Sequence, residues 1–154
     1  MRPTQVALGE IGWALLRGTI YAAAFTLVML GMGLVHSPWA VLTVPVAVLI
    51  GFAFAGVGMT GTTYMKSWQD FDYVILASMP LFLFSATFYP LSVYPRAVRA
   101  VIEYTPLYQG VVLIRDLTVG VVGPDLLWRA AYLALLGLAG LYASGRRIGK
   151  LLLV

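Results

Sequence analysis

With 154 residues, 61% hydrophobic and 10% charged, and a mean hydropathy of +0.91, the chain is far below the roughly one-quarter charged residues of a soluble domain. A net charge of +4 would suit a nucleic-acid binder, but the ten basic residues are scattered over span ends and loops instead of forming a phosphate-binding stripe, so no nucleic-acid partner is expected. Cysteine is absent, which excludes disulfides and thiolate metal ligands, and the first dozen residues, with Arg2, Gln5 and Glu10, lack the apolar core of a removable secretory signal.

Between Arg17 and Lys66 there is no Asp, Glu, Lys or Arg. As one helix this stretch would measure roughly 70 Å at ~1.5 Å per residue, against a hydrocarbon core about 30 Å thick, so it must cross twice. His36-Ser37-Pro38 is the natural break, because proline removes a backbone donor and restricts its predecessor; spans are expected near 13–35 and 40–62. The polar cluster from Lys66 to Asp72 reads as a surface loop. Uncharged chain from Tyr73 to Pro95 then predicts a third span, about 72–90, with Pro80 inside it and Pro90 closing it.

Residues 91–123 are neither a span nor a hydrophilic loop. Pro95 opens a short helix with Arg96, Arg99 and Glu103 on one side and Val98, Val101 and Ile102 on another, and Pro106 breaks it. A second apolar piece, Leu107 to Leu117, carries Arg115 and Asp116 near its end, before Gly120, Gly123 and Pro124. Two such pieces predict a hairpin dipping into the membrane interface. The last span is expected at about 125–144, with Arg129 near enough to its end to snorkel, followed by Arg146, Arg147 and Lys150. The expected fold is therefore all-α and integral to the membrane, a single transmembrane domain over 1–154 with about four spans and a short external re-entrant hairpin. An even number of spans puts both ends on one side, and the basic residues place that side in the cytoplasm of the inner (plasma) membrane.

The polar inventory is poor for catalysis, with one histidine and six carboxylates. His36 falls in a turn without an acidic neighbour, Asp70 and Asp72 read as a solvated loop, and no phosphate-binding glycine loop occurs. No enzyme activity and no bound cofactor or metal are expected. Small residues recur at three- and four-residue spacing: Gly51, Ala55, Gly58 and Gly61 in the second span, and Ala130, Ala134, Gly137 and Gly140 in the last. They predict close helix packing, mainly within one chain.

From Pro80 the chain reads Leu81-Phe82-Leu83-Phe84-Ser85-Ala86-Thr87-Phe88-Tyr89-Pro90, then Pro95, then Pro106-Leu107-Tyr108-Gln109-Gly110, then Arg115 and Gly120. This order resembles the membrane (permease) subunit of type-2 ATP-binding-cassette exporters, the group that includes nodulation, antibiotic and polysaccharide exporters. Ala86 stands where that pattern usually has glycine, and Gln109 where histidine is frequent. Upstream, Gln5-Val6-Ala7-Leu8-Gly9-Glu10 with Trp13 and Arg17 is similar to the family's cytoplasmic segment before its third span, and Ser144-Gly145-Arg146-Arg147-Ile148-Gly149-Lys150 to its ending. On this resemblance the chain is expected to lack the amino-terminal third of the family pattern.

The resemblance implies a permease subunit for export of a drug, lipid or glycoconjugate. ATP would be hydrolysed by a separate cytoplasmic ATPase, and a second permease subunit would complete a dimer. ATPase coupling falls to Gln5, Leu8, Gly9, Glu10 and Trp68. The first substrate-path residues to test are Phe82, Phe84, Ser85, Phe88 and Tyr89. The re-entrant hairpin carries Pro90, Pro95, Glu103, Pro106 and Arg115, with Arg115 pairing Glu103 or meeting hairpin carbonyls. The alternative class is a small structural or regulatory membrane protein, or a remnant, without transport of its own.

Overall fold

The long apolar runs of the sequence form three helices long and apolar enough to cross a membrane, within Leu8–Gly31, Pro38–Thr62 and Pro124–Lys150. The computed structural model describes residues 3–152, which contain helices and no strand. In chain order they are α1 (Pro3–Gly31), a 3-10 turn (Pro38–Leu42) leading into α2 (Thr43–Thr62), α3 (Asp70–Leu83), a second 3-10 turn (Leu91–Val93), α4 (Arg96–Glu103), α5 (Pro106–Val119) and α6 (Pro124–Leu152). The protein is an all-α, multi-pass membrane protein.

α2 and α6 form the most extensive contact and run parallel: Gly56 meets Gly137 and Gly140, and Thr63 meets Arg147 further on. A Cβ on Gly56 would lie 2.6 Å from the Gly137 carbonyl oxygen, and one on Gly140 would lie 2.6 Å from that of Gly56. Thr60 Oγ1 donates to the Gly140 carbonyl at 2.8 Å across the same seam. The expected close approach is thus present at Gly137 and Gly140, but their partner is Gly56 with Ala53, whereas Gly58 and Gly61 face open space. α1 packs antiparallel on α2, with Leu15 beside Gly51 and the Thr26 hydroxyl 3.2 Å from that of Thr43. Leu113 of α5 completes the core with Ala53 and Leu133.

Several boundaries differ from expectation. α1 starts ten residues earlier than the expected 13–35 and stops at Gly31, so the segment Gln5–Glu10 is continuous with the first span. α6 runs on through the expected 125–144 and absorbs Ser144–Lys150. The expected span at 72–90 is a helix of only 14 residues, about 21 Å at ~1.5 Å per residue, short of a ~30 Å core. Pro80 offers no N–H to the Leu76 carbonyl, and five residues later the Ser85 hydroxyl donates to the Phe82 carbonyl at 2.7 Å. Ala86 then adopts φ 60, which turns the chain out of the helix. No residue of α3 is buried in the chain.

Candidate functional site at the re-entrant hairpin

Prolines set both arms of the hairpin. Pro95, extended, precedes α4, and Pro106 occupies the first turn of α5, where its missing N–H costs nothing. Gly120, at φ 94, ends α5, and its N–H and that of Val121 both donate to the Asp116 carbonyl at 2.9 Å. Near that end the His36 N–H donates to the Thr118 carbonyl at 3.3 Å, so the end of α5 and the α1–α2 connection lie at one end of the bundle. His36 itself is exposed, and its Nδ1 sits 3.0 Å from the Leu34 carbonyl.

α5 does not lie on the surface as an interfacial piece would. Gly110, Leu113, Leu117 and Thr118 are buried, and Gly110 fits so closely on Ile50 of α2 that a Cβ would stand 2.9 Å from the Ile50 side chain. The turn between the arms meets Tyr132, eight residues inside α6, or roughly 12 Å from its start at ~1.5 Å per residue. α5 thus packs between α2 and α6, while α4 lies beside it, largely exposed except at Ile102.

Irregular backbone at such depth is tolerated only where its polar groups find partners. Here they do. The Ile102 carbonyl accepts from Thr105 N–H at 2.9 Å and from Thr105 Oγ1 at 2.6 Å. The Glu103 carbonyl accepts from Gln109 Nε2, the Tyr104 carbonyl from the Tyr132 hydroxyl at 2.8 Å, and the Thr105 carbonyl from Gln109 N–H at 3.2 Å. Arg129 Nη1 donates to Gln109 Oε1 at 2.5 Å, so Arg129 points at the hairpin and does not snorkel to the helix end. The Glu103 carboxylate is exposed at the turn, and Arg115 does not pair with it: Arg115 Nη2 donates to the Ala86 carbonyl at 3.3 Å.

That bond ties α5 to the aromatic turn after α3. Phe82 packs edge-on to Phe88 and Phe84 edge-on to Tyr94, each pair with centroids 5.6 Å apart. Phe82, Phe84 and Phe88 share an apolar cleft of about 420 Å³, while Ser85 is fully buried with its hydroxyl 2.7 Å from that of Thr87, and Tyr89 is exposed. A second cleft of about 540 Å³ separates α3 from α4, lined by Pro80, Leu81, Phe84, Val98 and Ile102 among others. Ser85 therefore shapes the turn, and the phenylalanines line the space beside it. The left-handed Ala86 carries a Cβ penalty that glycine lacks, so Ala86→Gly is expected to raise stability by about 1 kcal/mol, read as a shift in unfolding midpoint in mixed micelles.

At the other end of the bundle lie the remaining predicted residues. Leu8 and Glu10 are exposed on α1, where Gln5 and Gly9 also lie, and Trp68 is 87% exposed on the α2–α3 loop. The Lys66 and Ser67 N–H groups donate to Asp70 Oδ2 at 2.6 and 3.1 Å, which shapes that loop and holds the Asp70 carboxyl below its usual range. Sequence reasoning missed Arg147, whose guanidinium stacks 3.5 Å from the Tyr64 ring centre and whose Nε donates to the Thr63 carbonyl at 3.4 Å.

The first two spans, the aromatic turn and the hairpin as far as Thr118 fall in the stretch, residues 1–118, that matches the family described as ABC-2 type transporter. The chain belongs to that family. Among the proteins similar to this chain is Nodulation protein J of Rhizobium leguminosarum bv. trifolii, 28% identical over 123 residues, 78% of this chain and 46% of that protein. Nodulation protein J of Sinorhizobium fredii (strain NBRC 101917 / NGR234) is 30% identical over 112 residues, 72% and 43% of the two chains. That of Rhizobium meliloti (strain 1021) is 28% identical over 119 residues, 75% and 45%. The chain thus spans less than half the length of the curated relatives it matches. No solved structure matches it significantly. The family match stops before α6, so it does not include the tail at Ser144–Lys150.

Proposed function

We propose that this chain forms the membrane permease part of an ATP-driven exporter, with ATP hydrolysed by a separate cytoplasmic ATPase. The observation that supports the reading is the α4–α5 hairpin, a family-matched element whose turn is tied by side chains from α5 and α6. Glu103, a carboxylate exposed at that depth, is costly against lipid and is accommodated where it meets water or a second subunit. The hairpin would cover the outer mouth of a path that a second permease subunit completes, in the inner membrane with both ends of the chain cytoplasmic. Phe82, Phe84 and Phe88 would meet an apolar part of the exported drug, lipid or glycoconjugate, while Ser85 and Tyr89 frame the turn. Nothing in this route needs a catalytic side chain, because alternating access is a population shift driven from outside the membrane.

Vesicles containing the chain, with and without a candidate ATP-binding-cassette ATPase, test the reading against that of a structural or regulatory membrane protein. ATP-dependent accumulation of a fluorescent amphiphile is expected only when both proteins are present. Equal accumulation with and without the chain would leave the structural role.

A further inference from the structure

The α4–α5 turn is held from α6 by two separate ties. Tyr132 donates straight to the Tyr104 carbonyl at 2.8 Å. Arg129 reaches the neighbouring Glu103 carbonyl indirectly, through Gln109. Guanidinium nitrogens only donate and a backbone carbonyl only accepts, so the residue between them must accept on one side and donate on the other. A primary amide does both, and the orientation of Gln109 is forced by its two partners. Arg129 and Tyr132 are three residues apart on α6 and so share the face that meets the turn. Arg129 Nε stays buried without a partner among the described residues, so the guanidinium sits where Gln109 requires it and forgoes one of its own bonds. Asp116 of α5 lies within electrostatic reach of Arg129, which adds attraction between the same two helices.

We propose that Arg129, Gln109 and Tyr132 are positioning residues that fasten the hairpin turn to α6 by its own carbonyls, so that the floor of the hairpin and α6 move as one body. The consequence for export rests on the reading above, in which the hairpin covers a path: a displacement of α6 would then be delivered to that cover without loss. The fastening itself is measured without transport. Because the chain has no cysteine, V101C and L135C can carry spin labels on the hairpin and on α6, at positions 68% and 65% exposed.

In liposomes the label pair is expected to give one narrow distance distribution. Gln109→Leu keeps bulk but neither accepts nor donates, and is expected to broaden the distribution to about twice its width, since the Glu103 carbonyl and the Arg129 guanidinium then lose the side chain that links them. Gln109→His can accept on one ring nitrogen and donate from the other, and is expected to restore the narrow distribution. Arg96→Ala, on an exposed α4 side chain outside the ties, is expected to leave it unchanged. A native width in Gln109→Leu, or equal broadening in Gln109→His, overturns the proposal. Should Gln109→Leu fail to insert, Tyr132→Phe decides, because it removes a single hydroxyl: broadening supports the second tie, and a native width overturns it. Neither result depends on an ATPase or a substrate, so failure here leaves the transport reading to its own test.

Discussion

Gly140→Ala is expected to deplete the protein from the membrane fraction, although it adds a single methyl group. The new Cβ would stand 2.6 Å from the Gly56 carbonyl oxygen and 2.8 Å from the Val57 nitrogen, and these are backbone atoms of α2 that cannot rotate away. Ordinary overpacking costs about 1–3 kcal/mol because side chains yield; here two spans must separate, so the cost should reach or exceed ~3 kcal/mol. Separation would also stretch the 2.8 Å bond from Thr60 to the Gly140 carbonyl and loosen Ala53, Leu113 and Leu133, which depend on the same seam. In a membrane such close backbone contact is a main source of helix association, since lipid tails offer no hydrophobic penalty to separated helices. Gly58→Ala and Gly61→Ala are the controls. Nothing lies within 4 Å of a Cβ at either, so both should insert and unfold like the native chain or slightly later. The measurement is the yield of folded protein and its unfolding midpoint in mixed micelles. Native behaviour of Gly140→Ala would mean that α2 and α6 do not meet at this seam.

Proline chemistry made much of this fold readable. Pro38, Pro95, Pro106 and Pro124 each stand at or just before the start of a helical element, because a residue without an N–H is harmless only there. The unusual residue at Ala86 was legible too, since the position proves left-handed, where glycine is the natural occupant. What was not legible depended on which face meets which. Small-residue spacing singled out Gly137 and Gly140 but also Gly58 and Gly61, and passed over Gly56; spacing sets a face, and only packing selects the neighbour. The early end of α3 was hidden because hydropathy continues through Phe82, Leu83 and Phe84, while the stop comes from one hydroxyl and one backbone angle. Arg129 looked like a helix-end residue because its partner, Gln109, is twenty positions away and reaches it only through the hairpin.

Glu10→Arg is expected to abolish co-purification with the ATPase and substrate-stimulated ATP hydrolysis, while expression and membrane insertion remain intact. A membrane domain without a nucleotide-binding loop can be driven by ATP only through contact, and on the proposed orientation the start of α1 and the α2–α3 loop with Trp68 face the cytoplasm together. One rival account is that Glu10 merely stabilises the positive end of the first helix. The structure weakens that account: α1 begins at Pro3, has no acidic residue in its first turn, and places Glu10 in its eighth position. The helix-end effect, about 0.3–1 kcal/mol, fades within the first turn. Glu10 is exposed, and the neighbouring Arg17 on the same stripe is turned over the Trp13 ring, 5.6 Å from its centre. The carboxylate is thus available to a basic group on the ATPase. Such a pair is worth about 2–5 kcal/mol on truncation if the interface buries it, and ~0–1 kcal/mol at a solvated rim. Reversing the charge replaces attraction with repulsion and should exceed a simple truncation, so Glu10→Gln is expected to weaken coupling and Glu10→Arg to eliminate it. Unchanged ATPase stimulation in Glu10→Arg would remove this residue from the coupling surface and leave the exposed loop around Trp68 as the remaining contact.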